Sequence, residues 1–343
     1  MRITIVQVAK NLNLAPSTVS KVLNNKGHIS EATRKRVLDY VQEIGYIRDP
    51  SARALKSNRS NTLGILFSDI ALTGLEHPFY SGVLQSFKNY CEMNNYEISF
   101  VVSKVGDHTM SYLEYCKIKK IDGVLIASGN FQNPLIIELV ESNVPCVSTD
   151  FFRPKLPTII SDNEAGIDLA LEHMEELNRS KLAYISGPVT SIAFQQRLAR
   201  FNHQTTTYKH KPDIIIASGF NHHAGYDATI ELIETGNIPE GIIVGSDDLA
   251  FGVIRALKSK GIRVPEEVSV IGFDDVNFAE IYNPSLTTIH QDKKMIGETA
   301  AKHLISIIDE EIEKKQETII LPVKLIKRDS TTIRGFIPTC CRR

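Results

Sequence analysis

Residues 4–24 read TIVQVAKNLNLAPSTVSKVLN, and their punctuation predicts two short helices joined by a tight turn. Thr4 and Gln7 have the spacing of a capping box, in which the hydroxyl and the Gln side chain satisfy each other's backbone amides. A helix is expected from Ile5, with Val8, Ala9 and Leu12 on one face. Asn13-Leu14-Ala15 makes the turn. Pro16, whose fixed φ suits a first helical position, restarts a helix that runs through Asn24. Val19, Val22 and Leu23 are its packing residues, which leaves Pro16, Ser17, Thr18 and Lys21 facing outward. Ser30 caps a third helix, Glu31 to Ile44, which stops at Gly45 in the position that favours a left-handed residue. Short helix, tight turn, short helix and a supporting helix make a helix-turn-helix unit. A helix of this size fits the roughly 12 Å major groove, where Ser17, Thr18 and Lys21 can meet base edges or phosphates.

Charge agrees with that reading. The chain has 343 residues and a net charge of -1, yet residues 1–60 carry eleven Lys/Arg against four acids, a local charge of +7 that leaves -8 on the rest. A basic head on an acidic body is the electrostatic arrangement of a nucleic-acid binder. The length exceeds what one simple core accommodates and suits two or three compact units. Five cysteines without CxxC spacing suggest neither a disulfide framework nor a zinc site, which fits a reducing compartment. No apolar run approaches the roughly 20 residues of a membrane span, and no secretion segment opens the chain, so a cytoplasmic location is expected. GxSxG, P-loop and HExxH patterns are missing and the ten histidines are scattered. No catalytic residue, metal or cofactor is therefore expected.

Beyond the three helices lies a short basic segment, Asp49-Pro50-Ser51-Ala52-Arg53-Ala54-Leu55-Lys56, followed by the polar run Ser57 to Asn61. It has no core of its own. A helix formed only on DNA, with Leu55 as an apolar wedge between minor-groove base steps, accounts for it; a plain linker is the alternative. From Thr62 the pattern changes. Strand-like runs at 63–67, 97–101, 124–127, 146–149, 182–186, 214–217, 242–244 and 268–273 alternate with helical stretches at 80–94, 164–178, 225–235 and 249–260. Alternation of this kind argues for parallel sheets covered on both faces. Two successive sets imply two doubly wound lobes, and ligands of such folds lie beyond the carboxyl ends of the strands, which puts a site between the lobes. Polar and aromatic residues that follow strands are the candidates: Phe79, Tyr80, Asp150, Arg197, Phe220, Ser246, Asp247 and Asp274. Carboxylates and a guanidinium bind adjacent sugar hydroxyls in pairs, and aromatic faces meet the C–H surface of the ring. Each residue also has a plainer reading, as a helix cap or as core.

The stretch VAKNLNLAPSTVSKVLNNKGHISEATRKRVLDYVQEIGY and the following ARALKSNRSNTLGIL strongly resemble the LacI/GalR family of repressors. SDNEAGIDLALEH, LAYISGP, GSDDLAFGVIRAL, VPEEVSVIGFDD, NPSLTTIHQD and LPVKLIKRDST extend the resemblance over residues 3–333. It implies a helix-turn-helix domain at 1–48 and a hinge helix with linker at 49–61. The periplasmic-binding-protein-like core then comprises an N-terminal lobe at 62–161 with 291–320 and a C-terminal lobe at 162–290 with 321–333, before a tail at 334–343. DNA contacts are expected from Thr4, Pro16, Ser17, Thr18, Ser20, Lys21, Asn24, Arg53, Leu55 and Lys56. Phe79, Tyr80, Arg197, Phe220 and Asp274 fall at the family's effector positions, as do Asp150, Ser246 and Gln291 at those of its sugar-responsive members. Three departures stand out. Arg48 replaces a usual Pro and Pro50 appears instead, Ser246 stands where Asn is common, and the chain is shorter than usual between Phe201 and Lys211, which predicts a truncated helix there.

The expectation is a homodimer that places two helix-turn-helix units in successive major grooves of a palindromic operator, with paired hinges around Leu55. A sugar or sugar phosphate in the cleft would separate the hinges or bring them into register. The tail is short and holds Pro338, unlike the Leu-rich heptads of tetrameric relatives. Two other readings stand beside this one: a same-family regulator answering to a phosphocarrier protein or a purine-like corepressor, and a sugar solute-binding protein, against which the basic head counts.

Overall fold

The computed structural model describes residues 3–23, 27–46, 59–67, 74–130, 132–150, 152–154, 156–310, 312 and 317–331. The chain divides into two compact units, Met1–Ser60 and Asn61–Arg343.

The first unit holds α1 (Ile5–Asn11), α2 (Pro16–Leu23) and α3 (Glu31–Glu43). Thr4 accepts from the Gln7 amide and the Gln7 side chain accepts from the Thr4 amide, so the capping box closes as its spacing predicts. Asn13 takes the left-handed φ of 52° that the turn needs, which Asn tolerates better than most residues. Val8, Ala9, Val19, Val22 and Val37 form a fully buried centre, ringed by Leu12, Leu14, Ile29 and Tyr40. Two polar ties hold α3 against the turn: Arg36 Nη2 donates to Leu12 O at 2.6 Å and Asn11 Nδ2 donates to Tyr40 Oη at 2.7 Å. The helices end where local chemistry says they should, with Ser30 accepting from Thr33 N and Gly45 at φ 60°.

The second unit contains two six-stranded sheets. The first lobe is built from β1 (Thr62–Phe67), α4 (Pro78–Met93), β2 (Glu97–Phe100), the hairpin β3 (Lys104–Val105) and β4 (His108–Thr109), α5 (Tyr112–Lys119), β5 (Gly123–Ser128), α6 (Pro134–Glu141), β6 (Cys146–Ser148) and β7 (Thr158–Ser161). The second lobe holds α7 (Asn163–Glu176), β8 (Leu182–Ser186), α8 (Ile192–Gln204), β9 (Asp213–Ile216), α9 (His222–Glu234), β10 (Gly241–Val244), α10 (Asp247–Ser259), β11 (Ser269–Asp274), α11 (Asn277–Ile281) and β12 (Thr287–Gln291). The chain then returns through α12 (Lys293–Ile308), β13 (Thr318–Leu321) and β14 (Val323–Ile326).

Sheet order is β13-β7-β6-β5-β1-β2 in one lobe and β14-β12-β11-β10-β8-β9 in the other. Within these two sheets all pairings are parallel except β12 with β14. That antiparallel edge follows from chain economy, because Pro322 alone separates β13 from β14, and each joins a different sheet. β5, with sequence GVLIAS, is buried along its whole length, the mark of a strand covered on both faces. α8 ends at Gln204 and gives way to a single 3-10 turn, Thr205–Thr207, in the region where the sequence is short.

The two sheets exchange chain three times, at 161–163, 291–293 and 321–323. The Asp162 amide donates to Leu321 O at 2.8 Å, which ties the first crossing to the third. Among the described residues, Cys91, Cys116 and Cys146 are buried and form no disulfide, and no helix is long and apolar enough to cross a membrane.

Candidate effector cavity and DNA-facing helix

Strand ends and helix starts converge between the two sheets. The eight sequence-predicted effector residues, Phe79, Tyr80, Asp150, Arg197, Phe220, Ser246, Asp274 and Gln291, all line one cavity there. The first turn of α4 brings Phe79 and Tyr80, whose rings meet edge to face at 5.2 Å. Asp150 follows β6. Its carboxylate reaches across to α8, accepting from Ser191 Oγ at 2.9 Å and from Ala193 N at 3.2 Å. Ser191 begins α8 without capping it through its own side chain, so a carboxylate from the other lobe serves that helix start, where negative charge is favoured. Tyr80 Oη donates to the same carboxylate at 3.4 Å.

Arg197 is placed by the inward face of α8, which buries Phe194, Arg197 and Phe201 at helical spacing. Its guanidinium lies 3.6 Å over the Phe273 ring and donates from Nε to Asn163 Oδ1 at 2.8 Å and from Nη1 to Gly245 O at 2.6 Å. Asp274 Oδ1 sits 3.8 Å from Nη1 and accepts from Gln291 Nε2 at 2.6 Å. Asp274 closes β11 at φ 120°, a left-handed backbone that L-residues rarely adopt and that concentrates at binding sites. Ser246 accepts from Leu249 N and caps α10, so the hydroxyl at this departure from the family pattern helps to start a helix. The strand-end candidate Asp247 is not among the cavity's lining residues: it is wholly buried beneath the floor, where its carboxylate accepts from Thr288 Oγ1 and Val276 N.

Twelve of the cavity's lining residues escaped sequence reading, and Asn163, Ser191 and Phe194 are the three that matter most to its geometry. Phe194 stands one helical turn before Arg197, and a Cβ on Gly187 or Gly245 would collide with its ring at 2.7 and 2.6 Å. Glycines directly after two strands were the available signal that something large packs there.

Burial pushes the Asp150 carboxyl up to about 6, against the pull of its hydrogen bonds from Ser191 and Ala193 and of Arg197. Asp274 is likewise pushed up to about 6 by burial, opposed by Arg197 and Lys293. A ligand hydroxyl donates to an ionised carboxylate, so binding favours the deprotonated acids. Affinity for a hydroxyl-bearing ligand should then hold steady above neutrality and fall as pH drops through about 6. Binding near pH 6 should release protons, measurable by calorimetry in buffers of different ionisation heat; identical heats in all buffers would contradict this assignment.

In the first unit, Thr4, Pro16, Ser17 and Lys21 are exposed and Thr18 and Ser20 are half-buried. Thr4 is also engaged in its own capping box. Asn24, Arg53, Leu55 and Lys56 lie outside the described residues, as do the rest of residues 49–58 and the tail at 334–343.

A model of the lacI family of bacterial regulatory proteins matches residues 4–49, and one for a periplasmic binding protein-like domain matches residues 171–331. The HTH-type transcriptional repressor PurR of Aliivibrio fischeri strain MJ11 is 30% identical over 96% of this chain and 99% of its own length. The lac repressor dimer bound to operator and the anti-inducer ONPF superimposes with a TM-score of 0.83 at 26% identity, covering 96% of this chain and 99% of that one. A LacI family transcriptional regulator from Enterococcus faecium, solved with bound ribose, gives a TM-score of 0.68 at 27% identity over 79% of this chain and 99% of its own.

Proposed function

Since this chain belongs to the lacI family of bacterial regulatory proteins, and so is a DNA-binding transcriptional regulator with an effector-binding body, we propose that its effector is an unphosphorylated sugar. One observation carries that reading. Arg197 is the only Lys or Arg among the cavity's described lining residues, and its contacts with Asn163, Gly245, Asp274 and the Phe273 ring leave it committed. Asp150 and Asp274 outnumber it. A phosphate would meet surplus negative charge in a desolvated place, which is unfavourable. Neutral hydroxyls instead find paired acceptors, with Phe79, Tyr80, Phe194 and Phe220 around them for the C–H face. The relative from Enterococcus faecium that carries ribose points the same way.

The regulator acts as a homodimer on a palindromic operator, with α2 in the major groove. A second copy has a fitting surface in the aromatic cluster Phe251, Phe278 and Tyr282, with ring centroids 4.8–5.5 Å apart. Phe278 of this cluster and Ile281 on the same short helix are 50% and 74% exposed. Exposed apolar area of this kind on a soluble protein marks an interaction face.

The test is a fluorescence-anisotropy titration against DNA from upstream of the gene, at fixed salt, with sugars, sugar phosphates and purines in parallel. An unphosphorylated sugar alone should shift the operator isotherm. A shift given only by phosphorylated sugars or purines would overturn the proposal. In the same assay Lys21→Ala should weaken operator binding by about ten- to hundredfold if Lys21 reads a base. A loss equal on operator and random DNA, with a shallower salt dependence, would instead make it a phosphate contact. An unaltered isotherm would remove Lys21 from the interface.

A further inference from the structure

Lys293 occupies a place where its charge is unfavourable by local rules. It is the first residue of α12, whose N-cap is Asp292 and whose first turn holds no acid. Unpaired amides at a helix start favour negative side chains there, so a base at this point conflicts with local electrostatics unless something else engages it. Its stem passes over Gly82 of α4, where a Cβ would come within 3.1 Å of Lys293 Cδ. The two helices approach closely at a second glycine, Gly297, where a Cβ would stand 2.7 Å from Phe87 N. The ammonium then crosses to the other lobe and donates to Asp274 O and to Asp275 O, each at 2.8 Å.

Those two carbonyls are unusual acceptors. Asp274 and Asp275 have φ of 120° and 52°, and so turn the backbone after β11 through a left-handed bend. Asp275 is itself fixed by Arg328 Nη2 at 2.7 Å and by His290 Nδ1 at 2.7 Å. Lys293 also lies two residues after Gln291, at the second of the three chain crossings between the lobes. One side chain thus connects the helix that presents Phe79 and Tyr80 with the backbone that presents Asp274.

We propose that Lys293 is a positioning residue that braces the inter-lobe hinge, holding the two halves of the effector cavity in register. Its stem is seated on one lobe and its charge on the other, so a change in lobe angle must lengthen the ammonium–carbonyl bonds. Loss of the charge releases that restraint while leaving both sheets intact. The consequence for effector affinity rests on the effector reading above; the brace itself does not.

Distance measurement by pulsed electron paramagnetic resonance tests the brace without any ligand. Spin labels are placed at I118C in the first lobe and I238C in the second, both exposed positions, in full-length protein with Cys340 and Cys341 changed to Ser. The remaining cysteines are buried, and burial pushes the Cys91 and Cys116 thiols up to about 12, so they do not react. Labelled chains are mixed with a large excess of unlabelled protein so that each dimer carries one labelled protomer, and the labelled parent should then give one dominant distance. Lys293→Met should add a second, displaced distance, its population raised about tenfold. Lys293→Arg, which keeps a donor for both carbonyls, should return the parental distribution. Thermal unfolding is recorded alongside. A Lys293→Met protein with the parental distribution overturns the proposal, whether or not its Tm falls, and so does a Lys293→Arg protein as altered as Lys293→Met.

Discussion

Asp274→Ala is expected to abolish the effector response while operator affinity without effector stays unchanged. The carboxylate combines an acceptor aimed into the cavity, a hydrogen bond from Gln291 Nε2 at 2.6 Å and a charge 3.8 Å from Arg197. Hydrogen bonds to a charged group contribute about 1.5–3 kcal/mol each, so loss of one or two to the ligand lowers affinity by about ten- to ten-thousandfold. Arg197 keeps Asn163, Gly245 and the Phe273 ring, so its guanidinium is not stranded and the body still folds. Calorimetric titration of the sugar found in the anisotropy assay checks the first half, and anisotropy without sugar checks the second. Normal sugar affinity in this variant would take Asp274 out of the site. Loss of operator binding together with loss of sugar binding would mean that the substitution unfolds the body.

Gly252→Val should destabilise the second lobe by about 3 kcal/mol or more, the upper part of the range for forcing extra bulk into a packed interior. α9 and α10 meet through reciprocal glycines. A Cβ on Gly225 would strike Leu249 O, and one on Gly252 would strike His222 O and come within 2.6 Å of Tyr226 N. Because those neighbours are backbone atoms, no side chain can rotate away, and the helices must separate. α10 starts at Asp247, directly after Ser246, so the separation would also disturb the cavity edge. For a lobe of this size the expected fall in Tm is roughly 6–12 °C, read by differential scanning calorimetry. A variant melting like the parent would show that the two helices tolerate a wider crossing.

The first unit was legible because its signals are local. Thr4 with Gln7, Pro16, Ser30 and Gly45 each act within one helical turn, and the ends of α1 to α3 fall within a residue of where those signals put them. In the body, β1, β5, β8, β10 and β11 were readable as apolar runs, since strands covered on both faces need no polar alternation. β7 and β12 were not. Thr158 and Ser161, and Thr287 and Thr288, are polar residues buried in the interior, and the bonds that Thr287 and Thr288 make to distant segments, Thr287 Oγ1 to Arg328 O and Thr288 Oγ1 to Asp247 Oδ1, have no trace in a local window. α8 escaped because its apolar positions are spaced thinly along a polar helix, with an arginine among the buried ones.

The cavity shows the same division. Asp150, Ser246 and Asp274 follow recognisable strands. Gln291, at the end of the unread β12, entered only through family resemblance. Ser191 and Asn163 gain their roles from partners across the cleft or on another helix, which no spacing rule encodes.

The manner in which the chain ends its two sheets has a bearing on its biosynthesis. α12 and β13 belong to the lobe that β1 began, yet they are translated only after all but the last strand of the other lobe. A nascent chain that has finished β7 therefore waits for roughly 150 further residues, about 8–30 s at ribosomal speeds, with only α4 on the sheet face that α12 will share. Its three-helix head, in contrast, has all its contacts from the start. A message cut before residue 293 would strip the covering helix from one lobe and the edge strands from both, leaving a body without a finished half.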